Sequence, residues 1–353
     1  MNLRLRRLCE KLEDANLDSL VVTLPSNITY LCEYTSRDSY FLVSGNKNIY
    51  FTDSRYAEEA KKSLKGAATV QKPDGSVFKS IASACLEQGL RRVGFEERYL
   101  PFAEYSEIKK FLKKNAQLIP SHNLIEDLRQ VKETHELQKI RKSIQITKEA
   151  LKLARKIIAP GKSEIEIAGE IERFIRYRGA SSAAFDIIVA AGVNSSYPHH
   201  ISSGRKIRDN EPVLVDMGVT YEGYKCDLTR VFFLGKINSL VAKIYDIVLR
   251  AQQEAIKKVI PAETISKVDK AARQYITEQG YGGFFGHNLG HGVGLDTHEN
   301  PHIGPKNAAP LEEGMVFTVE PGIYLAGKFG IRIEDMVLVT KRGAEVLSGA
   351  VNK

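Results

Sequence analysis

Residues 286–299 read GHNLGHGVGLDTHE and set His287, His291 and His298 among four glycines. Imidazoles at that density bind metal or move protons. His287 and His291 have the spacing of the two histidines in a helical HExxH zinc site. That site needs a glutamate directly after its first histidine as general base, and Asn288 stands there instead. Gly290, Gly292 and Gly294 would each cost a helix about 1 kcal/mol relative to alanine. We therefore expect a glycine-rich loop or strand entry that lets backbone approach closely. From this segment alone, a plain polar surface loop is the alternative.

Four acids lie elsewhere in apolar strand-like runs: Asp216 in VLVDMGV, Asp227 in CDLTRVFF, Glu320 in VFTVEPGIY and Glu334 in GIRIEDMVLV. A carboxylate in such a setting is costly unless a cation meets it. Asp216 and Asp227 are equidistant from a turn near Tyr221 and Glu222, and Glu320 and Glu334 from Gly327. Antiparallel pairing centred there would put each pair of carboxylates face to face. Like charges so placed repel and demand cations. Arg230 and Arg332 could supply part of the charge, which would make two buried Asp/Glu–Arg networks. Two divalent metals would balance four carboxylates, with one neutral imidazole completing the shell. Such an oxygen-rich shell without thiolates suits Mn, Co or Fe better than a structural zinc. Two metals about 3.5–4 Å apart can hold a bridging water, lower its pKa and polarise a carbonyl, which is hydrolytic chemistry.

The elements that must position these residues follow from periodicity. The first third alternates helix-like stretches (LRRLCEKLEDANL, AEEAKKSLK, SVFKSIASACLEQG, AEYSEIKKFLKKN) with strand-like ones (SLVVTL, YFLVS, NIYFT, RRVGFEE) and predicts a compact α/β unit. Around SHNLIEDLRQVKETHE the periodicity weakens and charge rises. We place the domain junction there, giving domains 1–126 and 127–353, with His122 and His135 as ordinary surface residues. The second part begins with a long amphipathic helix, HELQKIRKSIQITKEALKLARKII, and a second one, EIEIAGEIERFIRYRG. The strands FDIIVAAG, PVLVDMGVTY and KCDLTRVFFLG come next. Another helical pair, LVAKIYDIVLRAQQEAIKKVI and ISKVDKAARQYITEQG, precedes MVFTVEPGIYL and GIRIEDMVLVT. The order helix, helix, hairpin occurs twice, so an internal structural duplication is expected in an α/β (α+β) chain.

Composition excludes several classes. At 353 residues the chain fits two domains with a substantial core. The opening MNLRLRRLCEKLEDANLDSL lacks the apolar run of a signal peptide, and no stretch approaches the roughly 20 apolar residues of a membrane span. A cytoplasmic protein without membrane partners is the expectation. Cys9, Cys32, Cys85 and Cys226 are scattered without a CxxC pair, so neither a disulfide framework nor a structural zinc is expected. The net charge of +8 is spread along helices among acids, and no nucleic-acid motif accompanies it. We expect no nucleic-acid partner.

PHH at 198–200, LVDMGV, CDLTR, GHGVGLDTHE, EEGMVFTVEPGIY and GIRIEDMVLV resemble, in order, the motifs of the M24-type metallopeptidases, the superfamily of aminopeptidase P, prolidase and methionine aminopeptidase. The first third resembles the creatinase-type amino-terminal domain, above all in NITYLCEYTSRDSYFLV and YFTDSRYAEEA. The resemblance implies a creatinase-like N-terminal α/β domain followed by a pita-bread catalytic domain with an internal pseudo-twofold repeat. It implies two divalent metal ions, with Asp216 on one, Asp227 and Glu334 bridging both, and His291 with Glu320 completing the second. Mn stands first, with Co, Fe or Zn able to take the same shell. In such enzymes a metal-bridging hydroxide attacks the scissile carbonyl, and the glutamate matching Glu320 helps move its proton. His298 is similar to the histidine that stabilises the tetrahedral intermediate. His199 and His287 match histidines lining the substrate site, His199 also counting among the catalytic groups. Tyr324 and Arg332 match groups that orient the liganding acids. His200 is read as a neighbour of His199, Cys226 as packing on the opposite face from Asp227, and Asp296 and Glu299 as flanking groups that orient His298 or sit in solvent. The family further implies short peptide substrates with proline in second position, and a homodimer.

The amino-terminal domain favours an Xaa-Pro peptidase over methionine aminopeptidase. Creatinase shares the architecture but lacks the metal ligands, all of which are present here. Some prolidases carry an arginine near His302 that can hold the free carboxylate of a dipeptide. His302 and Lys306 offer no bidentate guanidinium. On that ground an Xaa-Pro aminopeptidase is the leading expectation and an Xaa-Pro dipeptidase the alternative, with a non-catalytic peptide-binding module of the same fold behind both.

Overall fold

The computed structural model describes residues 2–349, and the chain divides into two units between Arg129 and Gln130. In the first unit the run SLVV becomes Ser19–Val22, buried at every position in the middle of a six-stranded sheet. Ser39–Ser44 pairs with it antiparallel on one side and Arg92–Glu96 parallel on the other. A strand buried on both faces reads as a continuous apolar run, which is why it is legible in sequence. Ile49–Thr52, Thr69–Gln71 and Gln117–Ser121 complete the sheet. The last two are short and partly exposed and carry no clear period. Leu124–Gln130 forms a helix inside the stretch that reads as aperiodic, because seven residues hold too few apolar positions to show a stripe. His122 is exposed and paired with Glu97, and His135 is a surface residue near Glu133.

The second unit repeats one plan. Helices Thr134–Ile157 and Glu164–Tyr177 precede three antiparallel strands, with Pro212–Met217 between Ile188–Ala191 and Leu228–Phe233. Helices Ser239–Ile256 and Ile265–Glu278 precede a five-stranded sheet in which Val316–Val319 lies between Gly290–Gly292 and Asp335–Thr340. The duplication expected from element order is thus present in the strand arrangement. One core joins both halves: Ile188, Leu214 and Val231 from the first pack in the same cluster as Ile244, Val248, Phe317 and Val337 from the second. Burying side chains of this size contributes about 1.5–3 kcal/mol each, enough in sum to hold a few strand-borne charges in place.

Register decides where those charges go. In the second repeat Val319 pairs with Asp335 and Gly322 with Arg332, so Glu320 and Glu334 stand opposite one another as the spacing around Gly327 predicts. In the first repeat the expected register is corrected. Glu222 and Gly223 both have positive φ, at +46° and +84°, and form a two-residue turn closed by the Tyr221–Tyr224 pair. The pairing is therefore offset by two residues, and Asp216 lies opposite Thr229 rather than Asp227. Side chains alternate with period two, so an offset of two leaves Asp216 and Asp227 on one face, whereas an offset of one would have sent them to opposite faces.

Candidate metal centre

The two repeats meet along a seam at Thr229 and Glu334. The Glu334 amide donates to the Thr229 carbonyl at 3.3 Å, and Thr229 Oγ1 donates to Glu334 Oε2 at 2.7 Å. Across this seam Asp216 and Asp227 face Glu320 and Glu334. With His199, His287, His291, His298, Tyr324 and Arg332 they line a single cavity of about 1240 Å³. All ten residues named from the sequence are thus gathered in one place.

Asp216, Asp227 and Glu334 are buried, at 8%, 5% and 1% exposure. Each has one carboxylate oxygen without a hydrogen-bond partner: Asp216 Oδ1, Asp227 Oδ1 and Glu334 Oε1. Buried carboxylate oxygens are normally satisfied, so three orphans converging on one cavity ask for a cation. Donor atoms of Asp227, His291 and Glu334 lie within 4.8 Å of one another. A divalent metal fits this set. His291 Nδ1 faces the Gly292 carbonyl at 3.1 Å, which fixes the proton there and leaves Nε2 for a metal. The glycines around it serve the protein's own backbone: a Cβ at Gly290 would run into the Thr318 carbonyl, and one at Gly292 into that of Asn300.

The ionisation of the group follows from crowding. Asp227 is pushed well above the usual carboxylate range by loss of water and then by the charges of Glu334, Asp216 and Glu320. Glu334 is pushed up in the same way, by burial and by Glu320 and Asp216. Glu320 goes the other way: burial would raise it, but the hydrogen bond and charge of His291 outweigh that and hold it at about 2. His291 is raised in turn, because its 3.3 Å contact with Glu320 outweighs burial. His287 and His298 are lowered, both chiefly by partial loss of water around the ring, although His298 keeps an exposed face and is lowered further by the charge of His291.

Arg332 organises the margin. Its Nη2 donates to Asp216 Oδ2 at 2.5 Å, its Nη1 to Tyr324 OH at 2.8 Å, and its Nε to Thr229 Oγ1 at 3.1 Å. Tyr324 OH lies 3.2 Å from His287 Nε2, whose Nδ1 faces the Asn288 carbonyl at 2.7 Å. This leaves Nε2 as an acceptor for the phenol. Arg230 lies away from the metal side: it donates to Asp335 Oδ1 at 2.7 Å and to the Glu334 carbonyl, and does not neutralise the cluster as an Asp/Glu–Arg network would require. Cys226 is fully buried against Thr147 Oγ1 at 3.1 Å, as packing. His298 is exposed, its ring 4.1 Å from that of His291. Glu299 does not sit in solvent: it is buried and paired with Lys132 Nζ at 2.7 Å, and accepts the Asp296 amide at 3.2 Å. His302 lines the cavity opposite His291 on the neighbouring strand, while Lys306 does not reach it.

Two residues absent from the sequence reading belong to this arrangement. Thr229 touches Glu334 and Arg332, and Thr318 Oγ1 donates to Glu320 Oε1 at 3.0 Å while accepting the His291 amide at 3.0 Å. Both lie two residues from a strand-borne acid, on the same face, and that spacing was the available signal. Thr229→Val removes the hydrogen bond that fixes Glu334. We expect Mn²⁺ affinity to fall about 10-fold by titration, with the fold retained; unchanged affinity would contradict the role.

Comparison with known proteins agrees with this geometry. Residues 4–131 match the Creatinase/Prolidase N-terminal domain, and residues 138–341 match Metallopeptidase family M24. A Xaa-Pro dipeptidase of Pyrococcus horikoshii is 33% identical over 350 residues, covering 99% of this chain and 97% of the relative. The solved structure of a Xaa-Pro dipeptidase from Bacillus anthracis superposes with a TM-score of 0.95 at 36% identity, over 98% of this chain and 97% of that one. An X-Pro aminopeptidase from Thermotoga maritima superposes with a TM-score of 0.87 at 34% identity, over 96% and 97%. With an N-terminal domain of the creatinase and prolidase type and a cavity that gathers four acids and a histidine from two repeats, this chain belongs to metallopeptidase family M24.

Proposed function

We propose that this protein is a dinuclear metal-dependent Xaa-Pro dipeptidase. The observation that carries the metal chemistry is the set of three unpartnered, buried carboxylate oxygens on Asp216, Asp227 and Glu334. Asp216 would hold one ion, Asp227 and Glu334 both, and His291 with Glu320 the second. When bound, such ions polarise the scissile carbonyl and make water a nucleophile at neutral pH. Manganese is our choice among Mn, Co, Fe and Zn, because hard oxygen donors dominate the set.

The protein's own groups then do the following. Glu320, held by Thr318, takes a proton from the attacking water and returns it to the prolyl nitrogen as the C–N bond breaks. His298 and His199 stand at the cavity to stabilise charge on the carbonyl oxygen and to hold the peptide. His287 and Tyr324 would wall the substrate side as a fixed pair, the phenol held by Arg332 and the imidazole by the Asn288 carbonyl.

The relatives named as dipeptidases support this choice over the aminopeptidase that the missing arginine at His302 suggested. An imidazole on the strand beside His291 can meet a carboxylate without a guanidinium. Hydrolysis of Gly-Pro and Gly-Pro-Gly with Mn²⁺, before and after chelation, tests the reading. We expect cleavage of the dipeptide, lost on chelation; preference for the tripeptide restores the aminopeptidase, and no cleavage of either leaves a peptide-binding module. A homodimer and a cytoplasmic location complete the proposal, the former checked by sedimentation and the latter by fractionation of the native cell.

A further inference from the structure

We propose that Glu164 is a positioning residue that holds the segment bearing His199 against the cavity, by anchoring residues 191–203 to the start of the helix Glu164–Tyr177. The inference rests on the proposed substrate-side role of His199. Glu164 is fully buried, and no substrate atom could reach it directly. Its Oε1 accepts from the Ala191 amide at 2.8 Å and from Asn194 Nδ2 at 2.9 Å. Its Oε2 accepts from His200 Nε2 at 2.8 Å, from the Ser203 amide at 3.1 Å and from Ser203 Oγ at 2.6 Å. All these donors belong to one stretch of chain, the stretch that carries His199 between its two ends.

A buried carboxylate is costly unless donors surround it. The first turn of a helix lowers that cost, and the rest must come from the segment folding over it. Backbone bonds run the other way as well: the Glu164 amide donates to the Arg205 carbonyl at 3.2 Å and the Ile165 amide to that of Ser203 at 3.0 Å. His199 itself is exposed and lines the cavity, so the placement of its imidazole is set by its neighbours. On one side the Pro198 carbonyl accepts from Arg332 Nη1 at 3.3 Å, and on the other His200 is held by Glu164. His199 is thus suspended between the metal-site arginine and the buried glutamate.

The second repeat has a counterpart. Asp269, fully buried on the helix Ile265–Glu278, accepts the Leu289 amide at 3.1 Å and is paired with Arg273. Arg273 donates to the carbonyls of Phe285 at 3.0 Å and His287 at 2.8 Å. In each repeat, an acid on the second helix anchors the loop that brings a substrate-side histidine to the cavity.

A double-mutant cycle on the full-length, Mn²⁺-loaded protein tests this, with Gly-Pro hydrolysis, Mn²⁺ affinity and thermal unfolding measured for wild type, Glu164→Gln, His199→Ala and the double variant. Displacing a substrate-positioning group by an ångström costs about 10²-fold in rate. We expect kcat/KM to fall by about that factor in each single variant. The double variant should be no worse than the weaker single one, because both changes remove the same contribution. Mn²⁺ affinity should stay close to wild type. If the two losses multiply, or if metal affinity falls in parallel with activity, Glu164 is a general stability residue and the proposal is overturned. A fully active His199→Ala overturns the role of His199 and this proposal with it, while an impaired His199→Ala beside an unimpaired Glu164→Gln overturns this proposal alone. If Glu164→Gln does not fold, His200→Asn and Ser203→Ala each remove one donor to Glu164, and the same cycle with His199→Ala decides by the same criteria.

Discussion

Glu320→Gln is expected to lower kcat/KM for Gly-Pro by at least about 10³-fold, the contribution of a well-placed general base, even at saturating Mn²⁺. That loss corresponds to about 4 kcal/mol of transition-state stabilisation. The substitution keeps the shape of the side chain and removes only its charge and its ability to take a proton. The fold has little reason to change. Glu320 is only partly buried, its amide still donates to the Leu289 carbonyl at 2.9 Å, and Thr318 Oγ1 can still donate to the amide oxygen of a glutamine. What is lost is the negative charge that meets His291 at 3.3 Å in the metal-free protein. Steady-state kinetics with a circular-dichroism melt separates the two effects. Activity within 10-fold of wild type at saturating metal would remove Glu320 from proton transfer.

The second large effect concerns metal and pH together. In metal-free protein Asp227 and Glu334 have raised pKa values, from burial and from the neighbouring acids. A group whose folded pKa lies above its unfolded value binds protons more tightly in the folded state. Its contribution to stability is therefore greatest below the unfolded carboxylate pKa, about 4, and is lost as pH rises through the folded value. Glu320 contributes with the opposite sign, but its lowered pKa confines that effect to the acid side, between about 4 and about 2. Above that range the metal-free protein should lose stability with rising pH. Metal takes the place of the protons, so its stabilisation should grow over the same window. At 100 times its Kd, one ion adds about 2.7 kcal/mol, which for a unit of this size raises Tm by roughly 5–10 °C. Differential scanning calorimetry of apo and Mn²⁺-loaded protein from pH 5 to pH 8 reads this out. A gap that stays constant or narrows as pH rises would mean that Asp227 and Glu334 are not the groups metal neutralises.

How much of this was legible beforehand depends on the range over which a signal acts. The four strand-borne acids are legible because each breaks an apolar strand, and their number relative to the nearby arginines demands cations. His291 could be separated from a helical zinc site by Asn288 and the glycines, and those glycines do admit the backbone at Thr318 and Asn300. The hairpin around Gly327 was placed by symmetry alone. Spacing between the acids sets the first hairpin two residues off in register, because a glycine at 223 takes positive φ without strain and draws the turn onto Glu222–Gly223. One missing arginine at position 302 is a weak basis for choosing between peptidases, because it is a single position among the many that line the cavity. The short strands Thr69–Gln71 and Gln117–Ser121 left no periodic trace.

Family resemblance marks His199, His287, His298 and Tyr324; the sequence by itself determined the alternation of helices and strands, the doubled plan of the second unit, and the strand-borne acids that demand a cation. These are local properties, written in side-chain periodicity and in residue types that cannot be buried without a reason. Only the tertiary structure decided the offset that sets Asp216 opposite Thr229, the seam at which Thr229 meets Glu334, the burial of Glu299 on Lys132, and the anchoring of the His199 segment by Glu164. Each joins groups far apart along the chain, where no spacing rule operates. Their partners are selected by the need to satisfy buried charges and backbone groups once the core has closed.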